Sequence, residues 1–199
     1  MDHRWQDCIV TYIDLIGTKK LRQGGHSSML MRRLHELVVR DKKALQSIDH
    51  AYTWNDCVLL LSYVDKHKKT TTFEAAIRDA EALKRTVDRE VGKSYAIAVK
   101  GQAFPGPPVG HATAQPPGVT VVKASSWAMA NCFKIEKELG HLKRPWYIDS
   151  RIAAKIRTKQ SFEDRTLELY GSRMPRVIRA FSGYLWDAAT VSKTIGNGG

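Results

Sequence analysis

The 199-residue chain has only three cysteines, Cys8, Cys57 and Cys132, and no two of them stand at C-x-x-C spacing. An odd count without a secretory leader argues against a disulfide framework, and the spacing offers no thiolate zinc site. Long hydrophobic runs are also missing: no stretch approaches the ~20 apolar residues a membrane span needs. The first residues, Met1-Asp2-His3-Arg4-Trp5, hold no apolar signal region, so the expectation is a cytoplasmic protein with no membrane partner. The sequence lacks G-x-G-x-x-G, the Walker A loop, H-E-x-x-H and G-x-S-x-G, which removes the common dinucleotide, P-loop, zincin and hydrolase readings. Acidic residues are in the minority, 20 against 32 Lys and Arg, for a net charge of +12. That excess suits a polyanionic partner, either a nucleoside triphosphate or a nucleic acid. The basic residues are scattered as Lys19-Lys20, Arg32-Arg33, Lys66 to Lys69 and Lys143-Arg144. With no stacking motif among them they read as a solvated face, and direct nucleic-acid binding is not expected.

What is present is enough apolar residue, 43%, for a sizeable core. The length suits a single domain over 1–199, with a core at about 8–150, a C-terminal extension at about 151–186 and a flexible tail at 187–199. Residues 8–16 are rich in Ile, Val and Tyr and read as a strand ended by Gly17. Leu30, Leu34, Leu37, Val38 and Leu45 keep helical spacing after a cap at Ser27 or Ser28. Residues 49–54 and 57–64 read as strands joined tightly at Asn55-Asp56. Phe73, Ile77, Ala80, Leu83 and Val87 mark a second amphipathic helix, followed by a strand from Tyr95 to Gln102. The order β-α-β-β-α-β is the split βαβ, ferredoxin-like arrangement, an α+β class with an antiparallel sheet. Beyond a Pro/Gly-rich loop at 104–118, the pattern predicts a short strand at Gly118 to Val122 and a helix from about Lys123 to Leu139. A strand at Trp146 to Ile148, a helix over 151–157 and a final hairpin, or a strand with a loop, within 166–186 complete the reading.

Two segments carry the chemistry. In Ile13-Asp14-Leu15-Ile16-Gly17-Thr18-Lys19 and in Thr53-Trp54-Asn55-Asp56-Cys57-Val58, an aspartate stands inside or beside an apolar strand. An ionised carboxylate at the edge of a core is costly unless something positive meets it. The βαββαβ order brings the two strands together, so Asp14 and Asp56 form a candidate divalent-cation site. Backbone amides around Gly17, Thr18 and Lys19, near a helix start, suit phosphate oxygens.

An apolar strand ending Asp14-Leu15-Ile16-Gly17, followed by a helix and a hairpin with Asp56 at its turn, resembles the catalytic domain of class III nucleotidyl cyclases. The resemblance covers roughly residues 8–150. It implies in-line attack of a ribose 3′-oxygen on the α-phosphorus of a nucleoside triphosphate, with pyrophosphate leaving. It implies two divalent ions, Mn²⁺ or Mg²⁺, held by Asp14, Asp56 and the backbone carbonyl of Leu15, and a homodimer. Adenylate cyclases of the family carry a lysine four residues before the second aspartate; Tyr52 stands there in this chain. A tyrosine resembles the pyrimidine cyclases of bacterial Pycsar antiphage systems. The expected product is therefore cyclic UMP from UTP, read by a downstream effector, with Tyr52 and Lys100 shaping the base site.

One departure stands out. The family opens a helix with Val-Asn-x-x-x-Arg, whereas here Val122-Lys123-Ala124-Ser125-Ser126-Trp127 occupies that place. Lys123, or an arginine from Arg173, Arg176 or Arg179, then has to meet the transition-state charge. Alternatives are a cytidylate or adenylate cyclase, another palm-type activity, and a catalytically inactive nucleotide- or RNA-binding module of the same fold.

Overall fold

The computed structural model describes residues 6–18, 26–64, 72–103, 126–189 and 191. Strand β1 (Gln6–Leu15) is the spine. It pairs antiparallel with β3 (Cys57–Tyr63) on one side and with β4 (Ser94–Ala103) on the other. A central strand is covered on both faces, which is why residues 8–13 are apolar with little alternation. β2 (His50–Trp54) joins β3 through the Asn55-Asp56 turn. The full order is β2-β3-β1-β4-β5-β7-β6. Its first four strands are the expected ferredoxin-like antiparallel core.

Beyond that antiparallel core, β5 (Trp146–Asp149) runs parallel to β4, because a helix intervenes between them and returns the chain to the same end. β7 (Arg176–Phe181) and β6 (Phe162–Leu167) then extend the sheet as an antiparallel pair. The final hairpin thus starts before the expected 166–186 window.

Helices α1 (His26–Asp41) and α2 (Phe73–Glu90) cover one face. Leu34, Leu37 and Val38 of α1 and Ile77, Ala80, Leu83 and Val87 of α2 are buried against Ile9, Ile13, Val58, Leu60, Ala96 and Ala98. Thr72 caps α2, its side chain accepting from the Ala75 amide at 3.1 Å. α3 (Trp127–Leu139) covers the opposite face with Ala128, Cys132, Ile135 and Leu139. This helix starts at Trp127 rather than Lys123 because Ser126 is its cap, accepting from the Ala128 amide at 3.1 Å. A Cβ on Gly101 would lie 2.7 Å from the Ala128 Cβ, so only glycine at 101 lets α3 sit this close to β4. α4 (Ser150–Ala153) is a single turn capped by Asp149. The expected Pro/Gly loop and the strand at 118–122 lie outside the described residues. No described helix is long and apolar enough to cross a membrane.

One charged cluster is packed beneath the start of β4. Lys84 is 1% exposed. Its Nζ is 2.6 Å from Asp88 Oδ2 and donates to the Ser94 carbonyl at 2.9 Å. Asp88 accepts from the Ser94 amide and hydroxyl, both at 2.7 Å. The pair clamps the residue that lies opposite Leu15 in the β1–β4 register.

Candidate active site

Asp14 is the penultimate residue of β1, opposite Cys57 on β3 and Tyr95 on β4. Asp56 sits in the β2–β3 turn directly before Cys57, so the register alone brings the two aspartates together. Asn55 takes the left-handed conformation at φ +51°, which asparagine tolerates better than most residues. The Leu15 amide donates to the Asp56 carbonyl at 3.1 Å, and the Ile16 amide donates to the Lys93 carbonyl at 2.8 Å. These bonds tie the end of β1 to both neighbouring segments. Gly17, at φ +87°, turns the chain immediately afterwards.

Each carboxylate is held by a hydroxyl. The Tyr95 phenol donates to Asp14 Oδ2 at 2.9 Å. The Thr18 hydroxyl donates to Asp56 Oδ2. The hydroxyl of Thr18 is therefore a partner of Asp56, and what it can offer a phosphate is its main-chain amide. Burial pushes the Asp14 carboxyl up to about 7, with the charges of Asp56 and Glu136 adding to the rise and the Tyr95 hydrogen bond opposing it. A carboxylate so placed, beside a second one, is the environment that an added cation relieves. Among the described residues no three His, Cys, Asp or Glu side chains form a metal cluster, and the candidate donors at this point are two carboxylates and main-chain oxygens. That donor set fits Mg²⁺ or Mn²⁺, hard ions commonly held by one or two carboxylates and completed by substrate phosphates.

Asp14, Leu15, Gly17, Thr18 and Asp56 thus meet at one end of the sheet. Lys19 and Lys123 lie outside the described residues. Tyr52 is half-buried on the edge strand β2 and packs on the face that holds Tyr12, Cys57 and Leu59. Lys100 is not its neighbour. It points to the opposite face, where its Nζ is 5.4 Å from the Phe73 ring centroid and 3.5 Å from Asp7 Oδ2. The parity of β4 explains this: Lys100 follows Ala96 and Ala98, which face α1 and α2. The expected pairing of Tyr52 with Lys100 in one base pocket is corrected accordingly.

Two of the three alternative arginines, Arg176 and Arg179, are committed elsewhere. Arg176 is paired with the fully buried Asp149, and Arg179 lies 3.3 Å from Asp164 and 4.4 Å from the Phe162 ring centroid. β7, which carries both, is separated from β1 by β4 and β5. Trp127 is 61% exposed and lies against Tyr170 with 6.2 Å between ring centroids.

Two residues that sequence reasoning missed belong to this site. Tyr95 reads in sequence as one more apolar strand residue. Glu136, close enough to Tyr95 and Asp14 for its charge to act on both, reads as part of a solvated helix face.

No protein-family model matches the chain, and no curated protein matches it in sequence. Solved structures do. The guanylyl cyclase Cya2 superposes with a TM-score of 0.56 at 14% identity, over 92% of this chain and 95% of that one. The adenylyl cyclase CyaB from P. aeruginosa gives 0.57 at 12% identity, over 92% and 97%. A bacterial light-regulated adenylyl cyclase gives 0.64 at 11% identity over 98% of this chain, which spans 58% of that longer one. The chain has the α+β fold of these cyclase domains.

Proposed function

We propose that the protein is a metal-dependent nucleotidyl cyclase that converts a nucleoside triphosphate, UTP by preference, to its 3′,5′-cyclic monophosphate and pyrophosphate. The observation that carries this reading is the meeting of Asp14 and Asp56 across the β1–β3 pair, in a fold shared with solved adenylyl and guanylyl cyclases. In the reaction the 3′-oxygen forms a bond to the α-phosphorus, the bond to the pyrophosphate oxygen breaks, and the 3′-hydroxyl proton is lost. Such a transfer asks for positioning and charge neutralisation more than for covalent chemistry.

Asp14, Asp56 and the Leu15 carbonyl would hold the divalent ions. When bound, those ions would neutralise the triphosphate and acidify the 3′-hydroxyl. The chain's own contribution is geometry. The Leu15–Asp56 and Ile16–Lys93 main-chain bonds fix the end of β1, and the hydroxyls of Tyr95 and Thr18 hold one oxygen of each carboxylate. The turn at Gly17 leaves the amides of Gly17 and Thr18 for the β- and γ-phosphates, with Lys19 assigned to the same phosphates by the sequence pattern. Tyr52 limits the base site and favours a pyrimidine, and Lys123 meets the developing charge. In this reading the active unit is a homodimer in the cytoplasm, and the product is a second messenger of antiphage defence that acts on a cyclic-nucleotide effector.

A second reading, a nucleotide-binding module without turnover, draws on the commitment of Arg176 and Arg179 to ion pairs elsewhere. Incubation with ATP, GTP, CTP and UTP in equal amounts, with Mn²⁺, separates the readings. A single cyclic pyrimidine nucleotide supports the proposal, a cyclic purine nucleotide overturns the base assignment, and bound triphosphate without product favours the module.

A further inference from the structure

The phenol of Tyr95 faces the Asp14 carboxylate. It donates to Asp14 Oδ2 at 2.9 Å from directly across the β1–β4 pair, and the charge of Glu136, one turn from the end of α3, acts on both groups. A neutral phenol has one proton and can donate to one acceptor at a time. The ring has little freedom. It lies edge-on to Tyr12 and to Tyr147, each at 6.4 Å between centroids, and the angles are 62° and 85°. Tyr147 is itself anchored: its phenol donates to the Leu139 carbonyl at 2.9 Å and accepts from the Arg144 amide at 3.0 Å. Tyr12 meets Phe133 of α3 edge-on at 5.3 Å.

We propose that Tyr95 is a positioning residue for cation binding, orienting the Asp14 carboxylate, and that the charge of Glu136 on α3 tunes that hold. The proposal rests on the reading of Asp14 as a metal ligand. An ionised carboxylate offers about four lone-pair sites. The phenol occupies one and fixes the plane of the group, which leaves the others for a cation shared with Asp56. Partners of this kind around metal ligands set ligand orientation, and their loss typically weakens metal binding about 10- to 100-fold. Glu136 gives α3 a route to the site, because any shift of the helix moves a charge that acts on the Tyr95–Asp14 pair.

The test is titration of the intact protein with Mn²⁺ alone, reading free Mn²⁺ by electron paramagnetic resonance. The set is wild type, Tyr95→Phe, Glu136→Gln and the double variant, each checked for an unchanged circular dichroism spectrum. Tyr95→Phe keeps the ring and removes the hydroxyl. The expected result is Mn²⁺ affinity about 10- to 100-fold weaker. In turnover assays the apparent KM for Mn²⁺ should rise by a similar factor, while kcat at saturating Mn²⁺ stays within about threefold, a split that general loosening of the fold would not give. Glu136→Gln should alter Mn²⁺ affinity by a different factor in the Tyr95→Phe background than in the wild type, since its action runs through the phenol. Equal Mn²⁺ affinity for wild type and Tyr95→Phe overturns the proposal while leaving the cyclase reading intact. Additive effects overturn the role given to Glu136. If Tyr95→Phe does not fold, Glu136→Gln decides, an unchanged Mn²⁺ affinity counting against the proposal and a changed one for it. A wild type that binds no Mn²⁺ sinks both the proposal and the metal-dependent reading.

Discussion

The main-chain amide of Leu15 donates to the carbonyl of Asp56 at 3.1 Å, and this bond joins the end of the central strand to the turn of the neighbouring hairpin. It sets the separation of Asp14 and Asp56 by backbone geometry, so the carboxylates can be removed singly without dismantling the frame that presents them.

Replacement of either carboxylate should therefore cost activity and spare the fold. Asp14→Ala and Asp56→Ala should each lower turnover by about a hundred- to a thousandfold, the size expected when several kcal/mol of charge stabilisation is lost. Initial rates and a thermal melt on the same preparations check this, and a melting temperature that falls along with the rate would contradict it.

The Asp14 carboxyl also predicts a pH dependence. Its folded value of about 7 is above its ordinary 3.8, so the folded protein holds a proton that the unfolded chain gives up. This contribution is fully present below about 3.8 and is lost as pH rises towards 7, because the unfolded state there binds fewer protons. Asp14→Asn removes the titration. Without metal, the variant's advantage in melting temperature should grow from near zero at pH 4 to several degrees above pH 7. Adding Mn²⁺ at pH 8 should raise the melting temperature of the wild type and leave that of Asp14→Asn close to unchanged. A wild type that matches the variant at every pH would contradict the assignment.

Lys84, almost wholly buried, is paired with Asp88 and bound to the Ser94 carbonyl. Removing one partner strands a buried charge, so Lys84→Ala should destabilise the protein by about 3–5 kcal/mol. Urea denaturation of the purified variant measures this. A loss below about 1 kcal/mol, the size of an exposed pair, would show that water reaches the cluster.

The placement of Tyr52 and Lys100 on opposite faces separates their roles. Lys100→Ala should leave the ratio of kcat/KM for UTP and ATP within about twofold. Tyr52→Ala should shift that ratio by at least about tenfold, one or two contacts' worth of discrimination. Nucleotide competition assays on the two variants decide it, and the reverse pattern would place the base on the α1–α2 face.

Much of this site is legible in sequence because it depends on local pattern. The apolar run ending Asp14-Leu15-Ile16-Gly17 and the tight Asn55-Asp56 turn fix two strands, and the βαββαβ order makes them neighbours. Tyr95 is not legible as a partner of Asp14, since only the β1–β4 register sets them opposite one another. Glu136 lies in Lys134-Ile135-Glu136-Lys137-Glu138, a run with the look of a solvated helix surface, and it gains meaning only when α3 is laid across the sheet. The misplacement of Lys100 comes from pairing residues by their order along the chain without the two-residue alternation of β4. β6 escaped notice because Phe162–Leu167 is charged and largely exposed, with no alternation to mark it.

The most direct test of the central claim is the stoichiometry of products from UTP and Mn²⁺, followed by mass spectrometry and a pyrophosphate assay, for the wild type beside Asp56→Ala. The account predicts cyclic UMP and pyrophosphate in equal amounts from the wild type and neither above background from the variant. Phosphate or UMP in place of the cyclic product, or equal turnover by the two proteins, would contradict it.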